Sequence, residues 1–289
     1  MLAKQNDLKE EMFMQFENRQ GQAQQMQAGG FFQAADPRLA HVDESAVNAY
    51  VVKVFGWMFF GLLVTTVTTV AIVVGIGASP AFGDLVFSML QFPGILIVFA
   101  VQLGLVWVIS ARVMSMNPGT AKLLYVLYAS LNGLTVGLIA ILFSMQIGGM
   151  DVLAIAFGLT AASFGIMALY GYLTGRDLTS MGSLLTMALI GLILIMVVNM
   201  FLRSDTMGLA ISIVGLFIFL GLVAADTNKI KNHFARVALG STDESRAAMG
   251  TQLDQQALAS NLAIVGALML YLDFINIFLF ILRILGNRR

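Results

Sequence analysis

LYLDFINIFLFILR, residues 270–283, lies inside an apolar run from about Ala257 to Leu285. A spanning helix needs roughly 20 mostly apolar residues, and this run supplies them. In its middle stands Asp273. An ionised carboxylate at the centre of a bilayer helix costs roughly 2.5–3.5 kcal/mol on insertion scales. The stretch therefore reads as a membrane helix carrying an acid that the rest of the chain must pair, neutralise or use.

The whole composition agrees with a membrane protein. The chain has 289 residues, 58% hydrophobic and 11% charged, with mean hydropathy +0.86. A soluble domain carries about 25% charged residues. Formal net charge is +0, so no basic surface for nucleic acid is expected. There is no cysteine, which removes disulfides, thiolate nucleophiles and zinc–thiolate sites. The two histidines, His41 and His233, lie far apart in polar segments and suggest no metal cluster. No cofactor is expected.

Residues 1–46 differ from the rest. MQFENRQGQAQQMQAGG is rich in Gln and Met with charges of both signs, and reads as a disordered cytoplasmic tail. No apolar stretch follows a basic start, so it is not a cleaved signal peptide. Residues 47–289 hold seven candidate spans, at about 50–76, 85–109, 121–145, 151–173, 179–202, 207–230 and 257–285. The runs are too long for strands and lack the alternation of a membrane barrel. The joints are short, which makes successive helices antiparallel neighbours. The exception, about 231–256, is polar enough to be a surface loop. Ala162, Gly165, Gly171, Gly215 and Gly221 are small residues expected to let helices approach closely. Thr65, Thr66, Thr68 and Thr69 are expected to bond back to carbonyls of their own helix, without a function.

Lys and Arg set the expected orientation. The joints after spans two, four and six hold Arg112, Lys122, Arg176, Lys229, Lys231, Arg236 and Arg246, whereas the odd joints hold only Arg203. The even joints and the N-terminus should be cytoplasmic and the C-terminus external. Arg283, Arg288 and Arg289 near the end oppose this pattern.

Asp84, Asp151, Asp177 and Asp205 sit at joints, as ordinary helix-end residues do. Asp226 and Asp273 are different. Intramembrane acids usually mark ion or proton pathways, which favours a functional reading of Asp273. For Asp226 two readings stand: snorkelling to the interface, or function. A carboxylate is unfavourable at a helix C-terminus, so the helix should continue past it. Brought together, two carboxylates can share a proton, which offsets part of the burial cost and makes the pair respond to pH. A cation can replace the proton, and an arginine such as Arg112 can pair with the acids. Asn276, at i+3 from Asp273, is placed to orient its carboxylate. Asn132, Asn199 and Asn261 are expected to hydrogen-bond between helices.

The segment GALMLYLDFINIFLFILRILGNRR resembles the C-terminal signature of the Bax inhibitor-1 family. VFGWMFFGLLVTT, LYGYLTGRDLTSMGSLLTMALIG and GLVAADTNKIKN also look like bacterial members, so the resemblance runs from about residue 46 to the end. It implies an all-α, polytopic fold of seven transmembrane helices, the seventh central and the other six around it. It implies a bacterial inner-membrane location. Members similar to this chain are described as pH-sensitive calcium-leak channels whose sensor is an aspartate pair in helices six and seven. By flanking motif these map to Asp226 in AADTNKI and Asp273 in LYLDFIN. The family's latch arginine maps to Arg112, although the loop MSMNPG after it looks longer than in channel-type relatives.

Three functions follow. The first is a calcium or other cation leak gated by Asp226 and Asp273, which with waters would form a weak, transient calcium site. The second is an integral regulator that modulates a membrane protease without conducting. The third, an intramembrane aspartyl protease, lacks the expected motifs: the acids sit in Ala-Ala-Asp and Leu-Tyr-Leu-Asp, and Pro-Ala-Leu is absent. The chain is therefore read as a non-enzyme whose partners are the lipid bilayer, a cation and, in the second reading, a membrane protease.

Overall fold

The computed structural model describes residues 44–91, 93–147, 150–238 and 252–286. The chain divides into two units, Met1–Asp43 and Glu44–Arg289, and the described helices belong to the second. The segment expected as a tail lies outside the described residues except for its last three positions, which are already helical. Among the described residues there is no strand.

The helices are α1 (Glu44–Ala78), α2 (Pro80–Leu90), α3 (Gly94–Arg112), α4 (Pro118–Ile147), α5 (Met150–Leu173), α6 (Thr179–Leu202), α7 (Asp205–Lys229) and α8 (Gln252–Gly286). Six of them are long and apolar enough to cross a membrane: α1, α4, α5, α6, α7 with its continuation, and α8. The second expected span, 85–109, is not continuous. It breaks between α2 and α3 at QFPG, because Pro93 has no N–H to continue a helical ladder. At 1.5 Å per residue α3 is about 28 Å long, close to the hydrocarbon thickness.

The joints are built from local chemistry. Ser79 caps α2, its Oγ accepting the Phe82 N–H at 3.4 Å, with Pro80 in the first turn. Between α6 and α7 only Arg203 and Ser204 intervene. Arg203 takes a left-handed conformation, φ 51°, which closes α6. Asn199 accepts the Ser204 N–H at 3.2 Å, and Ser204 in turn accepts the Met207 N–H at 3.3 Å. This pair of caps reverses the chain within two residues while leaving few backbone groups open, as a membrane edge requires.

The long polar joint is shorter than expected. Past Lys229 the helix runs through a π turn, Ile230–Phe234, and one more α turn to Ala238. The continuation past Asp226 agrees with the dipole argument, while the loop expected from 231 begins no earlier than 239. Its remainder to 251 lies outside the described residues, and α8 starts at Gln252 rather than 257.

Burial separates the helices. In the apolar window of α8, 67% of residues are buried inside the protein, against 6% in α6. α8 packs against α1, α4, α5 and α7. Tyr271, Ile264, Leu268, Leu270, Ile277 and Leu282 on it are fully buried. α6 turns Met187, Phe201 and Leu184 outward. An apolar face this extensive on a helix long enough to span fits contact with lipid. Three of the expected close approaches are present, at Gly171, Gly215 and Gly221, the last facing Leu185. A Cβ on Gly171 would lie 2.2 Å from the Ala224 carbonyl oxygen, and one on Gly215 would strike the Phe280 ring. Gly165 does not act this way, since nothing lies within 4 Å of the space above it.

Candidate functional site

α8 carries two buried polar side chains of opposite fate. Tyr271 Oη lies 2.7 Å from Thr65 Oγ1, which is also within hydrogen-bonding distance of the Gly61 and Ala129 carbonyls, each at 3.0 Å. Thr65 thus does more than bond back to its own helix. Thr69, bonded to the Gly133 carbonyl at 2.8 Å, likewise joins α1 to α4, whereas Thr66 and Thr68 make the expected local bonds. Tyr125 and Tyr128 meet the Tyr271 ring edge-on.

Asp273 is two residues further along, 4% exposed. Its Oδ2 has no hydrogen-bonding partner among the protein atoms. Burying a carboxylate oxygen unpaired is costly, so such an atom asks for an explanation. The charged group that acts on it is Asp226, reaching across from α7. The two acids that the sequence singles out thus stand on neighbouring packed helices, within electrostatic reach of each other. Asn276 donates its amide to the Leu272 carbonyl at 2.8 Å, within its own helix, and not to Asp273.

Asp226 also faces outward. It lines a cleft of about 760 Å³ between the α5–α6 joint and α6 on one side and α7 with its continuation on the other. Asp177, Thr179, Ser183 and Thr186 line the first wall, while Asp226, Lys229, His233 and Arg236 line the second. α6 runs inward as α7 runs outward, so Ser183, Thr186 and Asp226 lie deepest and Asp177, His233 and Arg236 stand near the mouth. Lys229 is the cation acting on Asp226 from one turn away. At the mouth the Asp177 carboxylate accepts the Thr179 N–H, the first of α6, at 2.9 Å, and bonds to the Thr179 hydroxyl and N–H hold it below the usual carboxylate range. Among the described residues no group of three or more acids and histidines could hold a metal ion.

Arg112 is exposed at the end of α3. The turn after it is held to α8 by Asn261, which donates to the Val113 and Met116 carbonyls at 2.9 and 2.6 Å. Asn261 precedes Asp273 by 12 residues (273 − 261), about 18 Å along the axis. Arg112 is thus not brought to the aspartates, nor does it line the cleft. Asn261 makes the inter-helix bonds expected of it. Asn132 bonds within its own helix, and Asn199 serves the α6–α7 joint.

Sequence reasoning misses three residues: Asn228, Lys229 and His233. Lys229 and His233 stand three and seven positions after Asp226, the spacing of one helix face, but a joint read as starting at about 231 hides the His233 end of that face. Asn228 is 2% exposed and holds the α5–α6 joint through three hydrogen bonds.

A buried acid-bearing helix packed against four others, in a chain with six helices long and apolar enough to span, defines a polytopic α-helical membrane protein. Residues 47–289 match the family described as "Inhibitor of apoptosis-promoting Bax1". The chain is 41% identical over 249 residues to "Inner membrane protein YbhL" of Escherichia coli (strain K12), covering 85% of this chain and 94% of that protein. It is 37% identical over 246 residues to "Uncharacterized protein RP147" of Rickettsia prowazekii (strain Madrid E), covering 85% and 92%. A protein of Borreliella burgdorferi is 36% identical over 244 residues, covering 84% and 93%. The chain belongs to the Bax inhibitor-1 family.

Proposed function

We propose that this protein is a pH-controlled cation leak of the bacterial inner membrane, with calcium as the cation, gated by Asp226 and Asp273. The observation that carries the reading is the buried, unpartnered Oδ2 of Asp273 beside the Asp226 carboxylate. Close carboxylates titrate as one system, and their apparent constants belong to the pair. With one proton shared, the pair carries a single charge and α7 stays against α8. Loss of that proton leaves two negative charges in a site of low effective dielectric, where their repulsion is large. Separation of the helices or arrival of a cation relieves it. Calcium prefers oxygen ligands, and two carboxylates with waters make a weak site, which suits passage rather than storage. The cleft that Asp226 lines supports this reading, as an opening to that acid from one side.

The reading counts α3 as the seventh crossing and takes α8 as the central helix, with the N-terminus cytoplasmic and the C-terminus external. The guanidinium of Arg283 lies over Gly208 in the first turn of α7, next to Asn199. A charge held by protein at the α6–α7 joint weighs less in orientation than a free loop charge, which accommodates the basic end of α8.

Calcium flux into proteoliposomes at several pH values tests the proposal. Wild type should show a pH-dependent flux, and Asp226→Asn and Asp273→Asn a flat one, because an amide does not titrate. A wild-type profile in both variants excludes the pair as the sensor. No flux at any pH favours the non-conducting regulator instead.

A further inference from the structure

The α6 wall of the cleft changes character along one face. Thr179, Ser183, Thr186, Ile190, Ile193 and Val197 follow at alternating steps of four and three, the spacing of one helix face. The first three are polar and line the cleft. The last three are apolar and exposed, on a helix whose outer side fits contact with lipid. Thr186 and Val197 are 11 residues apart (197 − 186), about 16 Å of axis, close to one leaflet's share of a hydrocarbon core roughly 30 Å thick. Outward of the hydroxyls the cleft carries both signs of charge. Lys229 and His233, both exposed, line the α7 wall, and Asp177 stands at the mouth. Thr179 donates its N–H and its hydroxyl to the same Asp177 oxygen, Oδ1, which leaves Oδ2 open to a ligand. From the mouth inward the order is carboxylate and imidazole, lysine ammonium, hydroxyls, then an apolar track.

We infer that this cleft is a lipid site: it takes one phospholipid whose headgroup bears a primary ammonium, as phosphatidylethanolamine does, with an acyl chain laid along α6. Such a lipid has the matching order from water to hydrocarbon: ammonium, phosphodiester, ester oxygens, chain. The ammonium donates to Asp177 Oδ2, and the phosphodiester lies against Lys229 and His233, where its hydrogen bonds are charge-assisted. The Ser183 hydroxyl donates to an ester carbonyl. The chain covers Ile190, Ile193 and Val197. Charge selects the headgroup. A purely anionic one brings negative charge between the carboxylates of Asp177 and Asp226, which line the same cleft, with nothing to offset them. A trimethylated ammonium has the charge but no N–H for the carboxylate. The inference goes beyond the cation-leak reading and stands without it, since neither Asp226 nor Asp273 has to bind an ion or change its protonation.

Native mass spectrometry of the full-length protein with added phosphatidylethanolamine, phosphatidylcholine and phosphatidylglycerol of identical acyl chains tests the site without any variant. Phosphatidylethanolamine should bind most tightly, at one molecule per chain. Equal retention of the three lipids, or preference for phosphatidylglycerol, overturns the inference. In the same assay Lys229→Gln with His233→Gln should weaken phosphatidylethanolamine by about tenfold or more, because two charge-assisted partners of the phosphate are lost. Lys122→Gln removes a cation that stands over Trp57, outside the cleft, and should leave binding unchanged. Equal weakening by both changes means that positive charge acts anywhere on the protein, and the site is refuted. Asp177→Asn should bring phosphatidylethanolamine down to the level of phosphatidylcholine, and a retained difference overturns the ammonium contact. Free glycerophosphoethanolamine should compete only weakly. Competition as strong as that of the whole lipid shows a site for the soluble head alone and overturns the lipid. Finally, phosphatidylethanolamine with a diazirine in its acyl chain should label residues 190–197 of the wild-type protein on irradiation. Labelling confined to other helices contradicts the track on α6.

Discussion

Tyr271 and Asp273 are two residues apart on one buried helix, and their surroundings are opposite. The Tyr271 side faces α1 and α4, where its hydroxyl meets Thr65 and its ring meets two further tyrosines. The Asp273 side faces α7, where one carboxylate oxygen finds no hydrogen-bonding partner and the charge that acts on it has the same sign. Each polar group on the first side adds to cohesion. On the second side, the protein holds a group at a cost that only a proton, a cation or movement relieves. Polar residues in lipid thus divide by whether their hydrogen-bonding capacity is filled, and not by depth.

The largest expected effect is on the Asp273 side. Asp273→Asn should flatten the pH dependence of calcium flux while leaving the protein as stable as wild type or more so, since an unpaired buried acid costs about 1–3 kcal/mol. Flux assays and thermal melts in detergent at neutral pH check the two halves together. Equal loss of stability and of pH response would erase the contrast between the two sides.

Next comes the close approach that supports the Asp226 wall. Gly171→Ala places a methyl 2.2 Å from the Ala224 carbonyl oxygen and forces α5 from α7. A loss of about 1–3 kcal/mol is expected, read as a lower melting temperature. Gly165→Ala on the same helix meets open space and should melt at or above the wild-type temperature.

The smallest effect belongs to the satisfied side. Tyr271→Phe removes one hydrogen bond and leaves Thr65 its carbonyl partners. The cost should be about 0.6 kcal/mol, the average for such bonds between membrane helices. The pH midpoint of flux should not move. A moved midpoint would show that the two sides of α8 communicate.

Much of this arrangement is readable from residue types. The apolar runs locate the helices because lipid demands about 20 such residues each. Asp273 stands out because its burial is expensive wherever the helix turns. The break in the second span escapes such a reading although Pro93 is visible in QFPG, since averaged hydropathy does not register a missing N–H. The polar stretch from 231 reads as loop, yet IKNHFARVA continues the helix, because cleft-lining and interfacial faces tolerate charge. Asn228 is unreadable for a different reason. Its partners, the Leu178 N–H and the carbonyls of Gly171 and Arg176, are backbone atoms some fifty positions away, and backbone atoms leave no trace in residue types.

The central claim is that Asp226 and Asp273 titrate as one system. Infrared difference spectroscopy of the carboxyl C=O stretch, followed through pH in wild type, Asp226→Asn and Asp273→Asn, measures this directly. The account predicts that replacing either acid moves the titration of the other by about one pH unit or more, because removing a like charge at close range changes the energy of ionisation. If the Asp273 band titrates at the same pH with and without the Asp226 carboxylate, the two acids are independent, and the gating mechanism built on their repulsion is wrong.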